Sequence, residues 1–211
     1  MPKNSIRIAK PLPGEYPDYA AMYIKWAPLD GRILEQLKAQ VEKTEKFVSR
    51  LSKKQLKGKY APGKWTIREI LLHIIDSERI FSYRALRIGR GDTTPLPGFE
   101  QDDYTSYSRA NERSVASILE EYRTVRKATL SLFKTFSEED LLRKGTANGN
   151  LVSVRALLYH LAGHELHHLQ IIKERYLGET PKSEPDKKKR PGTKKMTRTK
   201  KKRPGKTAGS L

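Results

Sequence analysis

Four stretches of this chain repeat apolar residues at steps of three and four, and none alternates them convincingly at steps of two. A period of 3.6 gathers such residues on one face of a helix, whereas a half-buried strand needs a period of two. The first stretch carries Leu34, Leu37, Val41, Val48 and Leu51, with Asp30 positioned to cap it. The second opens at Thr66-Ile67-Arg68-Glu69, a capping box whose two side chains satisfy backbone N–H groups that the helix leaves unpaired. Its stripe runs through Ile70, His73, Ile74, Ser77, Phe81, Ala85 and Ile88 to Gly89 and Gly91. The third carries Val115, Ile118, Leu119, Tyr122, Val125, Thr129, Leu132, Phe133 and Phe136. The fourth starts behind Ser153 and presents Leu157, Leu161, His164 and His168 before Gly178 and Pro181 stop it. Four helices that must each bury one face predict an all-α, four-helix bundle.

The connections divide the chain. Residues 1–29 are rich in proline and aromatics and lack a period, which predicts an extended arm packed on the bundle. The bundle itself is expected over 30–181. Residues 89–113 form an aperiodic connection punctuated by Gly89, Gly91, Pro95, Pro97 and Gly98 and carrying Glu100, Asp102, Asp103 and Tyr104. Connections of that length in a compact domain are usually functional or disordered. This one can also run the length of a bundle, making the second and third helices parallel neighbours. Ser137 to Asp140 reads as a short extra turn, and 145–150 as a loop.

The chain's 43 Lys and Arg against 24 Asp and Glu leave a net charge of +19. From Lys182 to Leu211 there are 13 bases and only two acids, with almost nothing apolar. Residues 182–211 are therefore expected to be a disordered tail, and the basic balance describes the tail more than the bundle. Its runs Lys187-Lys188-Lys189-Arg190 and Lys200-Lys201-Lys202-Arg203 suit non-specific contact with nucleic acid or another polyanion. No aromatics interleave them, so stacking on bases is not expected. The chain has no cysteine, which excludes disulfides, thiolate metal sites and a cysteine nucleophile. No segment approaches about 18 apolar residues, so no membrane span is expected, and with no signal-like apolar core near Met1 the expected location is cytoplasmic.

The distinctive chemistry lies in the five histidines. His160, His164, His167 and His168 fall in nine residues of the fourth helix, and His73 stands on the second. Residues four apart lie one turn apart on the same face, so His164 and His168 can reach one ion. His73, on an inward stripe, can supply a third imidazole, and three imidazoles leave a position open for water or substrate. His160, one turn before His164, competes for that ligand role. The same residues can also be read as core histidines hydrogen-bonded to their neighbours. His164-Glu165-Leu166-His167-His168 matches the H-E-x-x-H pattern of zinc proteases, in which Glu165 would be the base. The upstream strand and the downstream third histidine of those enzymes are missing, which argues against a protease. Asp76 and Ser77, three and four residues beyond His73, can line the pocket or orient that ring, and Arg84 and Gln170 can meet a substrate anion.

Ala61-Pro62-Gly63-Lys64-Trp65-Thr66, Leu72-His73-Ile74-Ile75-Asp76-Ser77-Glu78-Arg79 and Gly163-His164-Glu165-Leu166-His167-His168 together resemble the DinB/YfiT-like superfamily, as does the stretch from Pro95 to Tyr104. The resemblance covers roughly residues 10–178. It implies an up-down-down-up bundle that is often dimeric. It also implies a divalent ion held by His73, His164 and His168, with no role for His160. The family includes metal-dependent hydrolases and thiol S-transferases acting with a low-molecular-weight thiol.

These readings converge on a metal-dependent enzyme acting on a small-molecule substrate. Zn²⁺ is the first choice of ion, with Ni²⁺ or Fe²⁺ as alternatives, activating water or a thiol. Asp76 and Glu165 are the candidate catalytic carboxylates. The alternative is a non-enzymatic bundle with a structural ion or none, whose basic tail carries the biology.

Overall fold

The computed structural model describes residues 7–180. The basic tail expected over 182–211 lies outside the described residues. A 3-10 turn at Asp18–Ala20 leads into α1 (Ala21–Ile24), followed by α2 (Ile33–Val48), α3 (Lys53–Leu56) and α4 (Ile67–Gly89). Then come α5 (Gln101–Tyr107), α6 (Val115–Phe133), α7 (Glu138–Leu142), β1 (Lys144–Ala147), β2 (Asn150–Ser153) and α8 (Val154–Ile171). The last turn, Ile172–Tyr176, loosens into π geometry.

Cross-helix contacts fix the directions of the four long helices. Gln40 and Thr44 meet Ala162 and Glu165, so α2 and α8 run the same way. Glu78 and Ser82 meet Arg126 and Thr129, so α4 and α6 are parallel too. The pairs Leu37–Arg126 and Glu45–Arg123 set α2 against α6. His73–His164 and Phe81–His160 set α4 against α8. The bundle is up-down-down-up, and the 90–114 connection spans its length so that α6 can start at the same end as α4.

Of the three caps expected from the sequence, Thr66 and Ser153 hold, and Ser114, which was not expected, caps α6. Thr66 forms its capping box with Glu69, and Ser114 and Ser153 accept from the N–H groups of Ser117 and Ala156. Asp30 does not cap α2. Its carboxylate accepts the N–H of Arg32 in a local turn, and the helix begins at Ile33.

Three expectations about irregular segments change: the connection expected to be aperiodic over 89–113 contains the helix α5 at Gln101–Tyr107. The arm is not wholly extended, because Asp18–Ile24 coils into helical turns. The loop expected at 145–150 is the tip of an antiparallel hairpin, with Lys144 opposite Ser153 and Ala147 opposite Asn150. Asn148 and Gly149 take φ of 50° and 70°, the left-handed pair that a two-residue hairpin turn requires. Leu96 pairs with Thr146 and Asn148 on its edge, which ties the long connection to the bundle.

Two apolar clusters fill the interior. One contains Leu37, Phe81, Ile88, Phe133 and Leu158; the other contains Val48, Ile75, Ile118, Leu169 and Ile172. Between them each long helix contributes polar side chains: Thr44, Ser77 with Glu78, Arg126, and His164 with Glu165 are all buried. The candidate site therefore sits within the core, at its waist.

Candidate metal centre

His73 projects from the second turn of α4, and His164 and His168 project from successive turns of α8. Their Nε2 atoms converge. His164 Nε2 lies 3.1 Å from His73 Nε2 and 3.0 Å from His168 Nε2, and the ligand atoms of all three rings lie within 4.8 Å of one another. His73 and His164 are buried and His168 is partly so. Aromatic neighbours hold the rings: Trp65 packs on His73 at 4.8 Å between centroids, and Tyr23 meets His164 edge-on at 5.3 Å.

Burial makes the charged imidazolium costly here. It pushes His73 down to about 4, against the opposing pull of the Asp102 carboxylate. Burial and the neighbouring histidines take His168 to about 3, and they hold His164 well below the ordinary histidine range. All three rings are thus neutral near pH 7, the form whose lone pair binds a cation. A tetrahedral ion with bonds of about 2.1 Å needs ligand atoms about 3.4 Å apart, a few tenths of an ångström from the His73–His164 and His164–His168 spacings. The donor set fits a divalent ion of the zinc type.

The DinB superfamily model matches residues 36–172 of the 211. The chain belongs to the DinB superfamily. A protein of Oceanobacillus iheyensis, provisionally named a metal-dependent hydrolase, is 29% identical over 143 residues, covering 66% of this chain and 81% of that protein. Among solved structures, YfiT from Bacillus subtilis, described as a probable metal-dependent hydrolase with an unusual four-helix bundle topology, superposes with a TM-score of 0.61 at 16% identity. That match covers 85% of this chain and 97% of YfiT, and it concerns the fold.

Elsewhere in this DinB chain the remaining candidates part company. His160 is buried, stacks on Tyr23 at 4.7 Å and meets Phe81 at 4.8 Å, so it packs among aromatic rings rather than joining the three Nε2 atoms. His167 stands edge-on to the same Tyr23 ring. Asp76 lies on the α4–α6 side, 3.6 Å from Arg79, and burial pushes its carboxyl up. Glu165 turns away from the histidines altogether. Its Oε1 accepts from the hydroxyls of Thr44 and Tyr122 at 2.6 Å, and its Oε2 from Arg126 at 2.7 Å. Arg126 also donates to both oxygens of Glu78 and to the Leu37 carbonyl, which joins all four long helices. Arg84 binds the Pro97 carbonyl and so anchors the long connection, while Gln170 donates to Glu174.

A cavity of about 320 Å³ opens beside His168. Trp65, Tyr176 and Ile171 form its walls, and Gln101 and Asp102 from the long connection form another. The connection from Gly91 to Tyr107 was expected to wall the pocket, and Gln101 and Asp102 do so; Trp65 had no role of its own in the sequence reading. What marked Arg126 was its place four residues beyond Tyr122 on an otherwise apolar stripe.

Proposed function

We propose that this protein is a metal-dependent enzyme in which His73, His164 and His168 hold one divalent ion, zinc first among them, and that its reaction is a hydrolysis or a thiol transfer on a small molecule. The observation that carries the proposal is the convergence of three neutral, largely buried Nε2 atoms on one point at the edge of a cavity. The names of the Oceanobacillus relative and of YfiT favour hydrolysis. Such an ion, when bound, lowers the pKa of a water or thiol so that a nucleophile exists near neutral pH.

The chain's own residues supply the rest. Trp65 and Tyr23 pack against the His73 and His164 rings and limit their turning, and of the three rings only His168 is partly exposed. Glu165 takes no chemical step in this proposal, since its lone pairs are committed to Thr44, Tyr122 and Arg126. Asp76 is assigned none either, being drawn toward Arg79.

Metal content by mass spectrometry on tag-free protein, beside His73→Ala, His164→Ala and His168→Ala, tests this. About one zinc per chain, lost in every variant while the helical signal persists, is the expected result. Absence of any ion after zinc is offered would return the histidines to a packing role.

A further inference from the structure

The charges at the waist of the bundle do not balance. Glu78 and Glu165 share the single guanidinium of Arg126, and all three side chains are buried. Guanidinium nitrogens only donate, so the three oxygens that Arg126 meets carry no proton. These are Glu78 Oε1 and Oε2 at 2.8 Å and Glu165 Oε2 at 2.7 Å. The fourth oxygen, Glu165 Oε1, accepts the hydroxyls of Thr44 and Tyr122 at 2.6 Å. Two carboxylates against one guanidinium leave one surplus negative charge in the core. No other described residue forms an ion pair with either carboxylate. The other two buried arginines, Arg68 and Arg84, hold carbonyls of the long connection at Asn111, Arg113 and Pro97 instead.

An unanswered buried charge is costly, and a cation held by the three histidines would answer it. Glu165 directly follows His164, with Cα atoms about 3.8 Å apart. Glu78 lies five residues beyond His73, about 7.5 Å along the helix axis. The surplus charge and the point where the three Nε2 atoms converge are therefore separated by a distance on the order of 10 Å. His73 and His164 are buried like the cluster, so dissolved salt screens little of the interaction.

We propose that the Glu78–Arg126–Glu165 cluster is the fixed counter-charge of the metal site. Its surplus charge tightens the hold of His73, His164 and His168 on a divalent ion and weakens the binding of an anion at the ion's open position. The inference rests on the metal reading and adds to it a bias toward a neutral over an anionic ligand. None of the three side chains touches the ion. The effect is one of field, and it has opposite signs for a cation and an anion.

Glu78→Gln and Glu165→Gln each remove the surplus charge and leave Arg126 paired with the other carboxylate, so neither strands a buried charge. Because the two make the same change in charge, either one that folds by circular dichroism suffices. Thr44→Val is the control, removing one hydroxyl from the cluster while keeping every charge. On the full chain, zinc affinity is read by competition with a chromophoric chelator, and azide affinity by the visible absorption of cobalt(II)-loaded protein. The Gln variants should bind zinc about tenfold more weakly. A field acts half as strongly on a monoanion as on a dication, so they should bind azide about threefold more tightly. Thr44→Val should leave both affinities near the wild-type values. Zinc and azide affinities that fall together, unchanged zinc affinity in the Gln variants, or an equal loss in Thr44→Val overturns the inference and leaves the metal reading standing. Wild-type protein that takes up neither zinc nor cobalt overturns both.

Discussion

Glu165 meets Arg126 at 2.7 Å in a place where neither side chain is more than 1% exposed, one residue from the histidine at the centre of the candidate site. Two carboxylates, Glu78 and Glu165, share this one guanidinium. Removing the arginine would leave both without a counter-charge in the core. Arg126→Met should therefore destabilise the fold by about 3–5 kcal/mol, as breaking a buried ion pair does. Chemical denaturation checks this; a loss below about 1 kcal/mol would mean that water already reaches the carboxylates.

A backbone contact makes a second prediction. Gly163 lies against the carbonyl of Tyr23, where a Cβ would overlap the oxygen. Alanine would ordinarily favour a helix over glycine by about 1 kcal/mol. Here Gly163→Ala should instead cost about 1–3 kcal/mol, because the α1 segment must lift off α8. Hydrogen exchange at residues 20–27 should accelerate while α4 and α6 stay protected. Unchanged exchange there would show that α1 yields without detaching.

Much of this was readable from residue spacing. All seven residues of the stripe from Ile70 to Ile88 are buried, and His73, His164 and His168 meet because a period of 3.6 and an inward face leave them no other direction. What spacing could not carry was the fate of polar groups. Glu165 is adjacent to His164 in sequence, yet about 100° of helical rotation sends it to Arg126, a partner 39 residues away. The hairpin at 144–153 was hidden because each strand is four residues long, too short for alternation to register, although Asn148-Gly149 was its signal. The coiling of Asp18–Ile24 depends on the surface of α8 beneath it, which local sequence does not contain.

Acid should loosen the arm before the bundle. Burial opposes the charged form of Glu15, but bonds accepted from Arg155, from the Leu12 N–H and from Ser153 take its pKa from 4.5 to about 2. A carboxyl lowered on folding stabilises the native state above its unfolded value, and that contribution is lost as pH falls through the folded value. The stability gap between wild type and Glu15→Gln should thus be full above pH 4.5 and shrink toward pH 2. Denaturation curves at intervals across that window measure it. A gap that stays constant would mean that Glu15 acts through packing alone.

Zinc should couple to stability through the three imidazoles. A ligand that binds only the native state raises stability by RT ln(1 + [L]/Kd), about 2.7 kcal/mol at a hundredfold excess over Kd. For a chain of this length that corresponds to a rise in Tm of about 5–10 °C. His168 is the variant to compare, because it is only partly buried and sits at the cavity edge, where replacement disturbs the core least. His168→Ala should keep its helical signal and lose the zinc-dependent rise in Tm, while His160→Ala should lower the baseline Tm and keep the rise. A zinc response surviving in His168→Ala and vanishing in His160→Ala would assign the third ring to His160 and move the centre one turn toward the start of α8.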